Sequence, residues 1–107
     1  MFDLKSALYL TTKVTSVSAP KHKVVCKKIL SRYYNAVLCG DKTFELRKDK
    51  DDIQSGDVLV LQEWDGKAYT GRHMTCKVTY VLRNATEYGL MEGHCIISLK
   101  VICAENR

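Results

Sequence analysis

The stretch Ser31-Arg-Tyr-Tyr-Asn-Ala-Val-Leu-Cys-Gly-Asp-Lys-Thr-Phe-Glu-Leu-Arg47 changes its hydrophobic period halfway along. Together with Leu30, the residues Tyr34, Val37 and Leu38 recur at helical spacing. Ser31 has a side chain suited to an N-cap, and Gly40 suits the left-handed position just past a helix end. A helix of about two to three turns is therefore predicted between them. From Thr43 the period becomes two, with Phe44 and Leu46 on one face and Thr43, Glu45 and Arg47 on the other. Three polar side chains share one face of a strand that follows a helix directly.

Upstream, Lys23-Val-Val-Cys-Lys-Lys-Ile29 is strand-like, and residues 1–20, rich in Ser and Thr and closed by Pro20, are expected to be an N-terminal arm or edge strand. Downstream, Lys48-Asp-Lys-Asp-Asp52 reads as a solvated loop, and Gln54-Ser-Gly-Asp57 as a turn. Val58-Leu-Val-Leu-Gln-Glu-Trp64 is expected to be the central strand, buried on both faces at its start. Asp65-Gly66 begins a hairpin connection. Its partner, His73 to Arg83, sets Met74, Cys76, Val78, Tyr80 and Leu82 against His73, Thr75, Lys77 and Thr79. After Glu87-Tyr-Gly89 a last strand runs from about His94 to Ile102. Five to six strands with one or two short helices describe an α+β fold, a compact mixed β-barrel; the low helix count disfavours a parallel βαβ layer.

The 107 residues leave room for one domain, expected over residues 21–107. No apolar run exceeds four residues, so no segment is long enough to span a bilayer. The start, Met1-Phe-Asp-Leu-Lys-Ser6, lacks the features of an export signal, and a cytoplasmic protein is expected. Five cysteines, odd in number and never Cys-x-x-Cys, argue against a disulfide framework or zinc ribbon; no metal and no cofactor are expected. Six lysines against Asp3 place the whole net charge of +5 in the first 30 residues, leaving the rest neutral. Lys21, Lys23, Lys27 and Lys28 are candidates for phosphate attraction, against the alternative of a solubilising lysine face.

Gly40, Lys42, Glu45 and Arg47 spell Gly-x-Lys-x-x-Glu-x-Arg across a helix end and into a strand. This resembles the signature of the ASCH domains of the PUA-like superfamily. From His22 to about Val101 the chain is most similar to a small bacterial and phage subgroup of that superfamily, through Tyr34-x-Ala-Val-Leu-x-Gly-x-Lys-Thr-Phe-Glu-Leu-Arg-Lys48, Gly56-Asp-Val-Leu-Val-Leu-x-Glu-Trp-Asp65, Tyr69-Thr-Gly-Arg72 and Val78-Thr-Tyr-Val-Leu82. The resemblance implies a PUA-like barrel with a helix beside a cleft lined by the motif, and RNA or a nucleoside as partner. PUA-like folds host binding modules and some hydrolases, so the fold alone does not choose a reaction.

As a binding set, Lys42 and Arg72 supply cations, Trp64 a flat aromatic, and Glu45 with Arg47 an acceptor and donor for one base edge. Each has a plainer reading: Glu45 and Arg47 as a strand-surface ion pair, Lys42 as a solvated charge, Trp64 as a core aromatic. Tyr69 and Tyr88 are further stacking candidates, while the alternation points Tyr80 to the core. The enzymatic alternative is similarity to small ASCH acetylcytidine amidohydrolases, which implies Lys42 as catalytic lysine. Their threonine nucleophile falls at Glu45, leaving Thr43 as the local substitute and Glu87 or Glu92 as candidates for their downstream acid. A ribonuclease with a histidine general base is a further alternative, for which His22, His73 and His94 have no supporting spacing, and so is a phage or mobile-element protein that binds a host protein through the N-terminal arm. A monomer is favoured.

Overall fold

A computed structural model of the chain describes residues 21–106; the arm or edge strand expected over residues 1–20 lies outside the described residues. Five strands, β1 (Val24–Leu30), β2 (Phe44–Lys48), β3 (Val58–Trp64), β4 (Tyr69–Leu82) and β5 (His94–Asn106), form one sheet in the order β1-β3-β4-β5-β2. The sheet curls into a half-barrel with β1 and β2 at its two edges. The helix α1 (Ser31–Leu38) and a 3₁₀ turn (Thr86–Tyr88) complete the described elements. The architecture is mostly β, with strand and helix numbers inside the expected range.

Helix α1 buries Tyr34 and Val37, whereas Leu30 and Leu38 of the expected stripe stay 42% and 41% exposed. Leu30, not Ser31, is the N-cap, and it lends no side-chain bond. Ser31 opens the helix instead and gives its hydroxyl to Glu63. Gly40 adopts φ +88°, the left-handed conformation expected of it, and its N–H donates to the Val37 carbonyl at 3.1 Å.

The concave face of the sheet holds the core, where Leu59, Leu61, Met74, Cys76, Val78 and Ile97 are fully buried. Three expectations need correction. Strand β3 is interior but not central, a place β4 takes, and its outward residues Val58 and Val60 are half-buried rather than enclosed. Strands β1 and β3 are parallel, Val24 opposite Val58 through Leu30 opposite Trp64, so α1 and β2 together make a crossover that the helix count disfavoured. Tyr80 does not reach the core. A bulge leaves Thr79 unpaired between Val78 and Tyr80, reversing the alternation. Val81 turns inward in its stead, and Tyr80 is 61% exposed.

In β2 the polar face is the inward one: Glu45 is buried, while Phe44 and Leu46 are outside. Outward apolar residues have neighbours of their own, since Leu46, Ile96 and Leu82 form one row across β2, β5 and β4. The gap between edges β1 and β2 is crossed by side chains. Arg47 Nη2 donates to the Lys28 carbonyl at 2.7 Å, and Lys27 pairs with Asp51 beyond the end of β2.

Two buried carboxylates anchor the ends of β3. At its start Asp57 accepts from the backbone N–H of Lys23 (3.0 Å) and Gln54 (2.8 Å) and pairs with the Lys23 ammonium (2.9 Å). Burial raises the Asp57 carboxyl, but these donors outweigh it and hold it at about 2. Gly56 beside it has φ +97°, and a Cβ there would lie 2.5 Å from the His22 ring. At the other end Glu63 is held at about 2 by the Arg72 guanidinium, against burial and with help from Thr70 and Ser31.

Because both carboxyls sit below their ordinary values when folded, the unfolded chain takes up more protons in acid. Their contribution is full above about pH 5 and is lost as pH falls toward about 2. Urea midpoints should therefore fall across that window, and Glu63→Gln should start lower and fall less. A wild-type midpoint that stays flat from pH 5 to 2 would refute this account of the two carboxylates.

Candidate functional site

The helix end and the start of β2 build the motif cluster. Gly40 turns the chain, the Lys42 N–H returns to the Ala36 carbonyl (2.9 Å), and the Thr43 carbonyl accepts from the Leu99 N–H (2.9 Å). Lys42 is thereby placed where its Nζ reaches Glu45 Oε2 at 2.8 Å and the Phe44 carbonyl at 2.6 Å. Arg47 Nε donates to Glu45 Oε1 at 3.1 Å. Each oxygen of Glu45 thus has its own cationic donor, and the residue is only 5% exposed. The plain reading of a strand-surface ion pair had the partners right and the location wrong: this pair is inside. Beside it a groove of about 310 Å³ opens between the C-terminus of α1 and β5, with Gly40, Lys42, Thr43 and Lys100 on its walls.

The expected ligand set does not converge on one pocket. Arg72 belongs to a second inward cluster, where it meets Glu63 with Nε at 2.8 Å and Nη2 at 2.9 Å, reaches Asn35 Oδ1 of α1 at 2.7 Å, and lies 4.6 Å over the Tyr34 ring. Thr70 donates its hydroxyl to Glu63 at 2.7 Å. Trp64 faces the other way, on the outer side of β3, with Lys28 Nζ 4.1 Å over its ring and Tyr69 edge-on at 5.1 Å. Tyr88 is 84% exposed in the 3₁₀ turn. Glu87 lies in that turn too, and Glu92 beside the Arg83–Asp49 ion pair.

Of the four lysines proposed for phosphate attraction, Lys23 is taken by Asp57 and Lys27 by Asp51. Lys28 sits over Trp64, and Lys21 is exposed. The lysines therefore make no single face, because neighbours along β1 point to opposite sides of the sheet. Sequence reasoning missed Glu63, Ser31, Asn35 and Thr70 as a polar cluster. One signal was present: Glu63 shares its strand phase with Leu59 and Leu61. Among the described residues no group of three or more His, Cys, Asp or Glu is placed to hold a metal ion, and no helix is long and apolar enough to cross a membrane. Cys26, Cys39 and Cys103 are exposed, Cys76 and Cys95 buried; burial pushes the Cys76 thiol up to about 11.

A half-barrel of mixed strands with one helix, whose inner wall carries two separately neutralised carboxylates, defines a small, mostly β domain. The chain belongs to the family described as Domain of unknown function (DUF3850), whose profile matches residues 22–99. It is also similar to the "Uncharacterized 12.9 kDa protein in GpA 3′region" of Escherichia phage P2, at 37% identity over 54 residues. That match covers 50% of each chain, so the comparison spans about half the length of the phage protein.

If the Glu45 cluster is an internal tie, Arg47→Ala should lower stability by about 1.5–3 kcal/mol, since it removes a charged donor from Glu45 and the side-chain bond to the Lys28 carbonyl. Chemical denaturation measures this directly. A loss below about 0.5 kcal/mol would return the pair to the class of surface salt bridges.

Proposed function

We propose that this domain is an RNA- or nucleotide-binding module of the ASCH type within the PUA-like superfamily, holding its ligand in the groove beside the Gly-x-Lys-x-x-Glu-x-Arg motif. The observation that carries the reading is the charge of that groove: Lys42 and Lys100 are on its wall, and the carboxylate that holds Lys42, Glu45, is shared with a second cation, Arg47. Phosphate is attracted by such an excess of cations, and Lys100, on the groove wall and exposed, is placed to meet it. Arg32 and Lys42 both lie against the Tyr33 ring, at 4.8 and 5.4 Å, adding an aromatic on α1 flanked by one cation of the helix and one from beyond its end. The same geometry favours binding over acetylcytidine hydrolysis. Lys42 Nζ is tied to Glu45 and to a backbone carbonyl, and a lysine so engaged is poorly placed to take a proton from Thr43.

Fluorescence anisotropy of a labelled single-stranded RNA at low and moderate salt tests this proposal. Lys100→Gln and Lys42→Gln are expected to weaken binding and to reduce the salt slope by about one for each phosphate left without its lysine. Equal affinity and slope in both variants would refute the groove. Acetylcytidine is the second arm: release of cytidine that disappears in Lys42→Ala would replace the binding module with a hydrolase.

A further inference from the structure

The outer face of the sheet carries a second arrangement with ligand chemistry. Lys28, Gln62 and His73 occupy successive positions across β1, β3 and β4, since Lys28 pairs with Gln62 and Gln62 with His73. Strands lie about 4.8 Å apart, so the ammonium-bearing and imidazole-bearing residues stand about 10 Å apart with an amide between them. Further along β3, Trp64 is opposite Tyr69. Gln62, Tyr69 and His73, with Val60, Gly71 and Arg72, line a groove of about 410 Å³, and Lys28 and Trp64 stand next to Gln62 and Tyr69 in the sheet register. That size falls within the roughly 300–1,000 Å³ of small-molecule sites. Gly71, at φ +97°, leaves its part of the wall without a side chain.

The charges select the ligand. Lys28 has no carboxylate partner among the described residues; its ammonium rests on the Trp64 ring. The acids of this region are engaged: Glu105 of β5 lies 3.4 Å from the His73 ring, Glu63 faces inward to Arg72, and Asp65 accepts from the Lys67 and Ala68 N–H groups of the hairpin. Because Lys28 covers one face of Trp64 and Tyr69 meets it edge-on, the indole is not an open surface for a sugar ring. Tyr69 itself is 54% exposed and offers a ring to a planar group. Gln62 presents a donor and an acceptor side by side, the pattern that reads the edge of a base.

We propose that this outer groove is a nucleotide-binding site separate from the motif groove. A base of a single-stranded nucleic acid lies against Tyr69 with its edge toward Gln62, and Lys28 meets the adjoining phosphate. The site extends the nucleic-acid reading to a second surface and stands without the motif groove.

Trp64 is the chain's single tryptophan, so its emission reports on this face alone. The probes are adenosine and uridine 5′-monophosphate and an oligouridylate of about twelve nucleotides. Saturable quenching is expected, weakened about tenfold by Tyr69→Ala and by Lys28→Gln, as removal of a stacking ring or a phosphate-binding cation predicts. Gln62→Ala should change the preference between the two monophosphates. No quenching, or quenching indifferent to both Tyr69→Ala and Lys28→Gln, overturns the outer site. So does quenching by maltotriose and by no nucleotide. Quenching abolished by Lys42→Gln and Lys100→Gln but not by Tyr69→Ala also overturns it and leaves the motif groove standing. The reverse pattern, with RNA anisotropy indifferent to Lys42→Gln and Lys100→Gln, refutes the motif groove and supports the outer site.

Discussion

Arg47 stands where a curled sheet would otherwise come apart. A half-barrel that does not close has two edges, and the backbone groups of β1 and β2 along the gap have no ladder to join. The guanidinium spans it, with Nη2 on the Lys28 carbonyl of β1 and Nε on Glu45 of β2. A planar fork of five donors can face two acceptors at once in fixed directions, which the flexible ammonium of a lysine does less well. Glu45 is buried, and a buried carboxylate is costly unless each oxygen is met. Lys42 meets the second oxygen. The helix end that presents Lys42, the strand that presents Glu45 and the seam are therefore one construction. The motif ties the end of α1, β2 and the seam to β1 together.

The same requirement shapes the charge of the molecule. Among the described residues three acidic side chains are buried, Glu45, Asp57 and Glu63, and each draws in cations: Lys42 and Arg47, Lys23, and Arg72. Cations that look like surplus along the sequence are consumed inside the fold. Lys23 and Lys27, from the most basic stretch, go to Asp57 and Asp51. Among the described residues the positive groups left for an outside partner are more scattered: Lys21, Lys28 above Trp64, Arg32 over Tyr33, Lys48, Lys50, Lys67, Lys77, and Lys100 at the groove.

Local features were legible in the sequence because local physics decides them. The helix, its stop at Gly40, the β2 alternation and the Asp65-Gly66 hairpin all follow from residues within a few positions of one another. What escaped depends on partners far along the chain. Thr79 bulges because β4 must stay in register with β5, and no neighbour of Tyr80 announces that the alternation reverses there. Glu63 becomes half of an internal cluster only when Arg72 and, through it, Asn35 arrive from β4 and α1. The parallel pairing of β1 with β3 likewise needs α1 and β2 to be placed first. The candidate site was legible in composition and not in convergence: Lys42, Glu45 and Arg47 meet, Arg72 joins a different carboxylate, and Trp64 takes the other face.

Adjacent residues on β3 link the two faces. Glu63 points in and Trp64 points out, and the register against β4 shifts between Gln62 and Trp64. Inside, Glu63 fixes Arg72 through two bonds, and Arg72 is seated over Tyr34 and bonded to Asn35. The position of α1 thus sets the backbone of β4 at Arg72, next to Gly71 in the outer groove and three residues from Tyr69. Thr70 adds a further tie, its hydroxyl on Glu63 and its oxygen accepting the Arg72 N–H at 3.1 Å. The outer aromatic pair is held from behind by a buried ion network, so the exposed ring of Tyr69 belongs to a hairpin arm anchored in the core. A ring so anchored loses less conformational freedom on stacking a base than one on an untethered loop, and this preorganisation is what a shallow groove needs to hold a ligand.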